Sequence, residues 1–240
     1  MFEIIDVNTV CGFWPKSNCD TSPDQLLSRM DKAGVSKAFT CSTRGILYDF
    51  AEGNDATLKV CRDSKGRLFP VATINPSTYF GVLGEVERIV AMGFRIVRFF
   101  PEEQDWKISQ KHFEKLLTRL SETNLVLMIP SSEGITQISS VTAGLPNSIL
   151  IESIRMYPNL AEFIVVAQEN PSIFVETHLV GSSEFIEVLV DQVGEDRLVF
   201  GSGAPLHCFY SAILPISNAA VSKQAKKKIF SDNILRLIGT

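Results

Sequence analysis

Short apolar runs alternate, along the whole of this 240-residue chain, with stretches in which apolar positions recur every three or four residues. The first pattern predicts strands and the second amphipathic helices. Candidate strands cover 3–8, 37–41, 68–75, 94–99, 125–129, 148–153, 173–178 and 198–202. Several are almost continuously apolar, as expected of strands covered on both faces. Strands that alternate with helices predict a parallel sheet with crossover helices, and eight of them is the number that closes a (β/α)8 TIM barrel.

The helices between them have legible ends. Ser22-Pro23-Asp24-Gln25 offers an N-cap serine, a proline at the first helical position and a glutamine that closes a capping box. Leu26, Leu27, Met30 and Ala33 continue one apolar face, and Gly34 is a left-handed stop. Ser109 is placed to cap a second helix, with Phe113, Leu116, Leu117 and Leu120 inward and an end near Asn124. Ser182 or Ser183 starts a third, with Phe185, Ile186, Leu189 and Val190 inward and Gly194 as terminator. Residues 131–146, rich in Ser, Thr and Gly, read as a short helix or as a loop over the barrel mouth. No repeat or linker divides the chain, so residues 1–240 read as a single α/β domain.

The formal charge of −4 leaves no electrostatic footprint for nucleic acid. The cluster Lys226-Lys227-Lys228 lies in a helical pattern and reads as a solvated helix face. No apolar run approaches the roughly 20 residues needed to cross a bilayer. The N-terminus has neither the basic region nor the apolar core of a signal peptide. The five cysteines, Cys11, Cys19, Cys41, Cys61 and Cys208, form no C-x-x-C pair and read as buried or half-buried free thiols in a reducing compartment. The expectation is a cytoplasmic protein with no nucleic-acid or membrane partner.

The segment Val193–Pro205, VGEDRLVFGSGAP, resembles the last strand-and-helix unit of the amidohydrolase-related family of metal-dependent TIM-barrel hydrolases and decarboxylases. Its members carry G-S-D-x-P here, where this chain has Gly201-Ser202-Gly203-Ala204-Pro205. The family's first strand ends in H-x-H, and Asn8 and Val10 stand in those places. The run Arg67–Pro76, the pieces Glu85-Val86-Glu87-Arg88 and Gly93–Arg98, and the ending Lys227–Leu237 are also family-like. The resemblance implies the barrel fold and a metal held by the H-x-H pair, by histidines ending the fifth and sixth strands, and by the aspartate after the eighth. Met128-Ile129-Pro130-Ser131 has no ligand type at the fifth position, Ile151-Glu152-Ser153 offers one carboxylate at the sixth, and Gly203 replaces the aspartate. The expectation is a divergent member without the family's metal ligands and without a cofactor.

In such a barrel the working residues lie at the C-terminal ends of the strands. Glu176 and His178, two apart on one strand, share a face. With His207 from the loop after the last strand they are the candidate catalytic set, since burial tunes His and Glu toward acid–base work near neutral pH. Arg98 inside an apolar strand demands a partner, because a buried charge is costly unless paired. That partner is Glu152, Glu176 or an anionic ligand, and a guanidinium suits a carboxylate or phosphate. Asn8, Arg98, Glu152, Arg155 and Ser202 are the candidate substrate-binding residues, with Gly201-Ser202-Gly203 as a small anion nest. His112 reads as a surface residue in the first turn of a helix, and Cys41, with no base beside it, as a core thiol. Neither a P-loop, a dinucleotide fingerprint nor a nucleophile elbow is present.

The reading is a barrel that binds, and if it turns over hydrolyses or decarboxylates, a small anionic molecule without a family-type metal. Two alternatives stay open. One is a metal-dependent hydrolase using Glu152, His178 and His207. The other is a non-catalytic subunit, since barrels of this family assemble into homo-oligomers or with a related barrel. A mouth plugged by Phe13, Trp14, Phe100 or Trp106 points to the subunit, and an open pocket lined by Arg98 and Glu176 to ligand binding.

Overall fold

The computed structural model describes residues 2–78, 80–155 and 159–239. One nine-stranded sheet runs in the order β2-β1-β3-β4-β5-β6-β7-β8-β9. Its strands are β1 (Ile5–Trp14), β2 (Cys19–Thr21), β3 (Lys37–Ser42), β4 (Leu68–Ala72), β5 (Ile96–Arg98), β6 (Val126–Pro130), β7 (Ile149–Glu152), β8 (Ile173–Glu176) and β9 (Leu198–Val199). All pairings are parallel except β1 with β2. The sheet curls until its last strand meets its first. Val7 N–H donates to Phe200 O, Gly203 N–H to Asn8 O and Val10 N–H to Ala204 O, each at 3.0 Å. Thr9 and Ala204 form a parallel bridge at that junction. The eight parallel strands therefore close into a barrel, and each coincides with one of the eight predicted runs.

The hairpin strand β2 lies outside the ring and escapes the apolar pattern. It is three residues long, too short to display a period of two, and it returns along an extension of β1 that contains Gly12.

Helix α1 (Pro23–Ala33) has the predicted capping box: Gln25 N–H donates to Ser22 Oγ at 3.3 Å and Ser22 N–H to Gln25 Oε1 at 3.0 Å. Gly34 follows with φ 73°. Short α2 (Thr43–Leu47) and longer α3 (Phe50–Asp63) follow β3, and α4 (Val82–Ala91) follows β4. The N-cap position of helix α5 (Lys111–Leu120) is Gln110 rather than Ser109; its side chain makes no cap bond to the helix, and its Oε1 instead accepts the Lys107 N–H of the preceding loop at 3.0 Å. His112 in its first turn is half-buried rather than a surface residue. The doubtful stretch 131–146 holds a 3-10 turn, Ser131–Glu133, and the short helix α6 (Ile135–Val141). Next come α7 (Asn159–Glu169) and α8 (Ser183–Val193), the latter flanked by Ser182 and Gly194 as predicted, then α9 (Phe209–Asn218). The lysine run ends α10 (Lys223–Lys227) and enters a π-helical turn before α11 (Asn233–Leu237). It is not simply solvated: Lys228 Nζ contacts Glu195 at 3.1 Å and Asp196 at 3.0 Å. No helix among the described residues is long and apolar enough to cross a membrane.

Alternation along the strands makes two cores. Val7, Phe39, Val71, Ile96, Met128, Leu150, Phe174 and Val199, one from each barrel strand, fill the interior. Residues of opposite phase, such as Ile129, Ile151 and Val175, pack outward beneath the helices. Because the side-chain period is two, the next inward positions are Arg98, Pro130, Glu152 and Glu176. A charged layer thus sits on an apolar plug at the C-terminal mouth. Burial pushes the Cys41 thiol up, and that of Cys61 up to about 12, so neither ionises near neutral pH. Cys11 is buried as well, Cys19 is half-buried and Cys208 is exposed.

Asp6 clasps the closing seam. It is fully buried, and its Oδ1 accepts Asn8 N–H at 2.8 Å and Ser202 N–H at 3.1 Å. Burial lifts its pKa from 3.8 to about 7; hydrogen bonds from Ser202 and Asn8 pull it down, and the Glu176 charge pushes it up. The unfolded chain ionises this group near 3.8, so the folded state loses stability as pH climbs from there to 7, by about 4 kcal/mol in all. An amide accepts the same two bonds without the charge. Asp6→Asn is therefore expected to be no more stable than the wild type near pH 4 and more stable by up to about 4 kcal/mol at pH 8, read by urea unfolding. An equal effect at both pH values contradicts this account of the seam.

Candidate active site

The charged layer is a chain of buried contacts. Arg98, at the end of β5, meets Glu152, at the end of β7, two-pronged: Nε lies 3.1 Å from Oε1 and Nη2 2.6 Å from Oε2. The Phe100 ring backs the guanidinium, 4.7 Å from its centre. Glu176, at the end of β8, accepts the His178 backbone N–H on Oε1 at 2.8 Å and contacts the His178 ring Nδ1 through Oε2 at 2.5 Å. Asn8 joins the two pairs, its Nδ2 lying 3.3 Å from Glu152 Oε2 and 3.1 Å from Glu176 Oε2. Of the partners the sequence allows for Arg98, the structure selects Glu152.

Two glycines make room for this layer. A Cβ on Gly201 would fall 2.0 Å from Glu176 Oε1, so the missing side chain is the space that the carboxylate occupies. At Gly203, with φ 69°, a Cβ would lie 2.8 Å from His207 Cδ2 and 2.9 Å from His178 Cδ2. The rings of His178 and His207, their centres 5.3 Å apart, fill the place in which an aspartate side chain would begin.

The electrostatics follow from the pairing. Burial would lower His178, but the touching Glu176 carboxylate outweighs it and holds the imidazole above its ordinary 6.5. Burial would raise Glu176, but His178 and the hydrogen bonds around it keep the carboxyl below its usual range. Glu152 is raised by burial even against Arg98. His207 is lowered, first by burial and then by the positive charges of His178 and Arg155.

Above the layer lies an open cavity of about 460 Å³. Asn8, Arg98, Glu152, Arg155, His178 and His207 all line it. Glu176 is completely buried and stands behind His178. Ser202 does not reach the wall: it is fully buried in the seam, where its hydroxyl accepts the Ala204 N–H at 3.0 Å. Phe100 and Trp14 form part of the wall without plugging it, whereas Trp106 packs between Phe99 and Phe113 in the outer core. Arg155 adjoins residues 156–158, which lie outside the described residues. Sequence reasoning passes over Asp6, although an acid inside the apolar run Ile4-Ile5-Asp6-Val7 is the same signal that singles out Arg98.

These residues do not fit the metal centre that the family resemblance implies. The strand-one positions carry an amide and a valine, and both Glu152 oxygens already contact a guanidinium. Both Glu176 oxygens are engaged by His178, and the aspartate's place is taken by two imidazoles. Among the described residues no three His, Cys, Asp or Glu side chains are disposed to hold a metal ion.

Solved structures with this architecture include 5-carboxyvanillate decarboxylase from Sphingomonas paucimobilis, 14% identical with a TM-score of 0.77 over 100% of this chain and 99% of that one. A 2,6-dihydroxybenzoate decarboxylase from Rhizobium is 12% identical, with a TM-score of 0.76 over 100% and 99%. A dihydroxybenzoic acid decarboxylase from Polaromonas sp. JS666, solved with manganese and the inhibitor 2-nitroresorcinol, is 14% identical, with a TM-score of 0.75 over 100% and 97%. At these identities the likeness is one of fold. No curated protein matches the chain. The amidohydrolase family model matches residues 18–240, nearly the whole sequence, and the chain belongs to the amidohydrolase family.

Proposed function

We propose that the barrel mouth is a metal-independent acid–base site for a small anionic molecule. One observation carries the reading: two histidines line the same cavity with their proton affinities pushed in opposite directions. His178 then holds its proton to higher pH than His207, which divides acid and base between neighbouring rings. Glu176 orients His178 through Nδ1 and leaves Nε2 as the nitrogen that offers a proton to the cavity. His207 accepts a proton from water or substrate. Such a pair serves hydrolysis, by activating water, or decarboxylation, by protonating the carbon left behind.

The case for an anion rests on the cations at the floor of the cavity. Arg98 is paired with Glu152 and His178 with Glu176, while Arg155 adds a positive charge to the wall; Glu102 and Glu103, which also line it, have Lys16 beside them. An open cavity, rather than an aromatic plug, favours ligand binding over a purely structural subunit. The relatives' names make small hydroxylated aromatic carboxylates the first candidates.

The test is thermal shift and calorimetry with a panel of benzoates, hydroxybenzoates and aliphatic carboxylates. A carboxylate that raises the wild-type melting temperature is expected to bind at least about tenfold more weakly to Arg98→Ala and to Glu176→Gln, a cost of about 1.4 kcal/mol. Wild-type binding should weaken as pH rises past the elevated pKa of His178, and in Glu176→Gln that limit should move to lower pH. Binding that both substitutions leave unchanged contradicts the site assignment.

Metal content is a second check. Untagged protein purified in trace-metal-free buffer supplemented with zinc and manganese should carry close to no metal. A ratio near one per chain replaces the proposal with a metal-dependent hydrolase, with Glu152, His178 and His207 as the ligands to mutate.

A further inference from the structure

A left-handed backbone crowds the Cβ of any L-residue against the following carbonyl, and glycine alone escapes that penalty fully. Among the described residues Asn18, Lys65, Asp105 and Ser153 are the non-glycine positions with positive φ, and Ser153, at φ 64°, is the one on the wall of the mouth cavity. Its surroundings hold the turn in place. Glu152 before it is paired with Arg98, and Ile154 after it is buried in the outer core. The buried Ser131 hydroxyl donates to the Ser153 carbonyl at 2.8 Å. The Ser153 hydroxyl makes no hydrogen bond among the described residues, so the fold does not use it. A strained turn pinned on both sides, with a free hydroxyl on a cavity, marks a functional position. Two cations share that part of the wall. Arg98 contacts Glu152 through Nε and Nη2, and its Nη1 has no partner among the described residues. Arg155 follows Ser153 by two residues and also lines the cavity. Across the ring, β1 and the loop after β9 contribute Val10, Trp14 and Leu206. Donors on one side and apolar side chains on the other fit a carboxylate joined to an apolar body.

We propose that Ser153 is the specificity-determining residue of this cavity: its hydroxyl, with Arg98 Nη1 and Arg155, takes the carboxylate of a ligand whose apolar body lies against Trp14 and Leu206. The proposal deepens the anion-binding reading above and rests on it. A hydrogen bond to a charged group, once removed, weakens binding roughly tenfold. A neutral amide in place of the carboxylate keeps the contacts of the body and loses the grip on the head. Serine and glycine at this position therefore differ in affinity for the anion and not in the shape of the turn.

The experiment is calorimetric titration of benzoate, 2,6-dihydroxybenzoate and benzamide into wild type, Ser153→Gly, Ser153→Ala and Arg98→Ala, with melting temperatures recorded alongside. Wild type is expected to bind a benzoate at least about tenfold more tightly than benzamide. Ser153→Gly and Ser153→Ala should each bind that benzoate about tenfold more weakly than wild type and leave benzamide within about twofold. Ser153→Gly takes the left-handed turn without strain and should melt no lower than wild type, so its lost affinity does not come from a damaged fold. A benzoate that both Ser153 variants bind as tightly as wild type, while Arg98→Ala weakens it, overturns this inference and leaves the site reading standing. Affinity that falls equally for benzoate and benzamide makes the turn merely structural and overturns it as well. So does a wild type that binds neither benzoate at up to about 10 mM. Binding indifferent to Arg98→Ala and to both Ser153 variants overturns the inference and the reading together.

Discussion

Two carboxylates buried side by side above an apolar plug are the constraint on which the rest of the mouth depends. Inside the barrel the alternation of strand side chains buries Glu176 completely and leaves Glu152 only an edge on the cavity. Ion pairs in such surroundings cost desolvation energy that only close geometry and full hydrogen bonding offset. The chain meets that demand with a two-pronged guanidinium on one carboxylate, an imidazole on the other and an amide between them. The two glycines of the last strand-to-helix turn belong to the same solution. Gly201 gives Glu176 its space, and Gly203 gives theirs to His178 and His207. A side chain at either position would collide with the cluster.

The fold supplies the positions. Closure of the barrel through β1 and the segment after β9 brings Asn8 beside residues from β7 and β8, more than 140 positions away in the chain. Asp6 holds that seam at an electrostatic cost, with its carboxyl lifted to about 7, and the neighbouring Glu176 charge adds to the cost. The seam and the site are therefore electrostatically coupled. Burial that would otherwise favour neutral groups is overruled at His178 by a direct contact and left to act at His207, and this sets the two histidines apart.

Much of this was legible in the residues. The eight apolar runs mark the eight barrel strands because strands covered on both faces must be apolar throughout. The capping box at Ser22 and the stop at Gly34 are local chemistry that tertiary contacts do not override. An arginine in an apolar strand announced a buried ion pair, and the spacing of Glu176 and His178 put both on one face. What stayed hidden depends on three-dimensional closure. Arg98 had two glutamates to choose from, and only strand phase and register decide for Glu152. Ser202 lies on the loop expected to cradle an anion, but its hydroxyl turns into the seam. The β2 hairpin is too short to leave a pattern, and α5 starts one residue later than the serine signal suggests, after a Gln110 whose side chain bonds the preceding loop rather than the helix.

The central claim is that His178 holds its proton to higher pH than an ordinary imidazole because Glu176 touches it, while His207 beside it gives its proton up at lower pH. With only three histidines in the chain, nitrogen-15 NMR titration of the imidazoles in wild type and Glu176→Gln tests this directly. His178 should titrate above 6.5 and His207 below it, and Glu176→Gln should bring the His178 value down. A His178 that titrates below 6.5, or that Glu176→Gln leaves unmoved, contradicts the account.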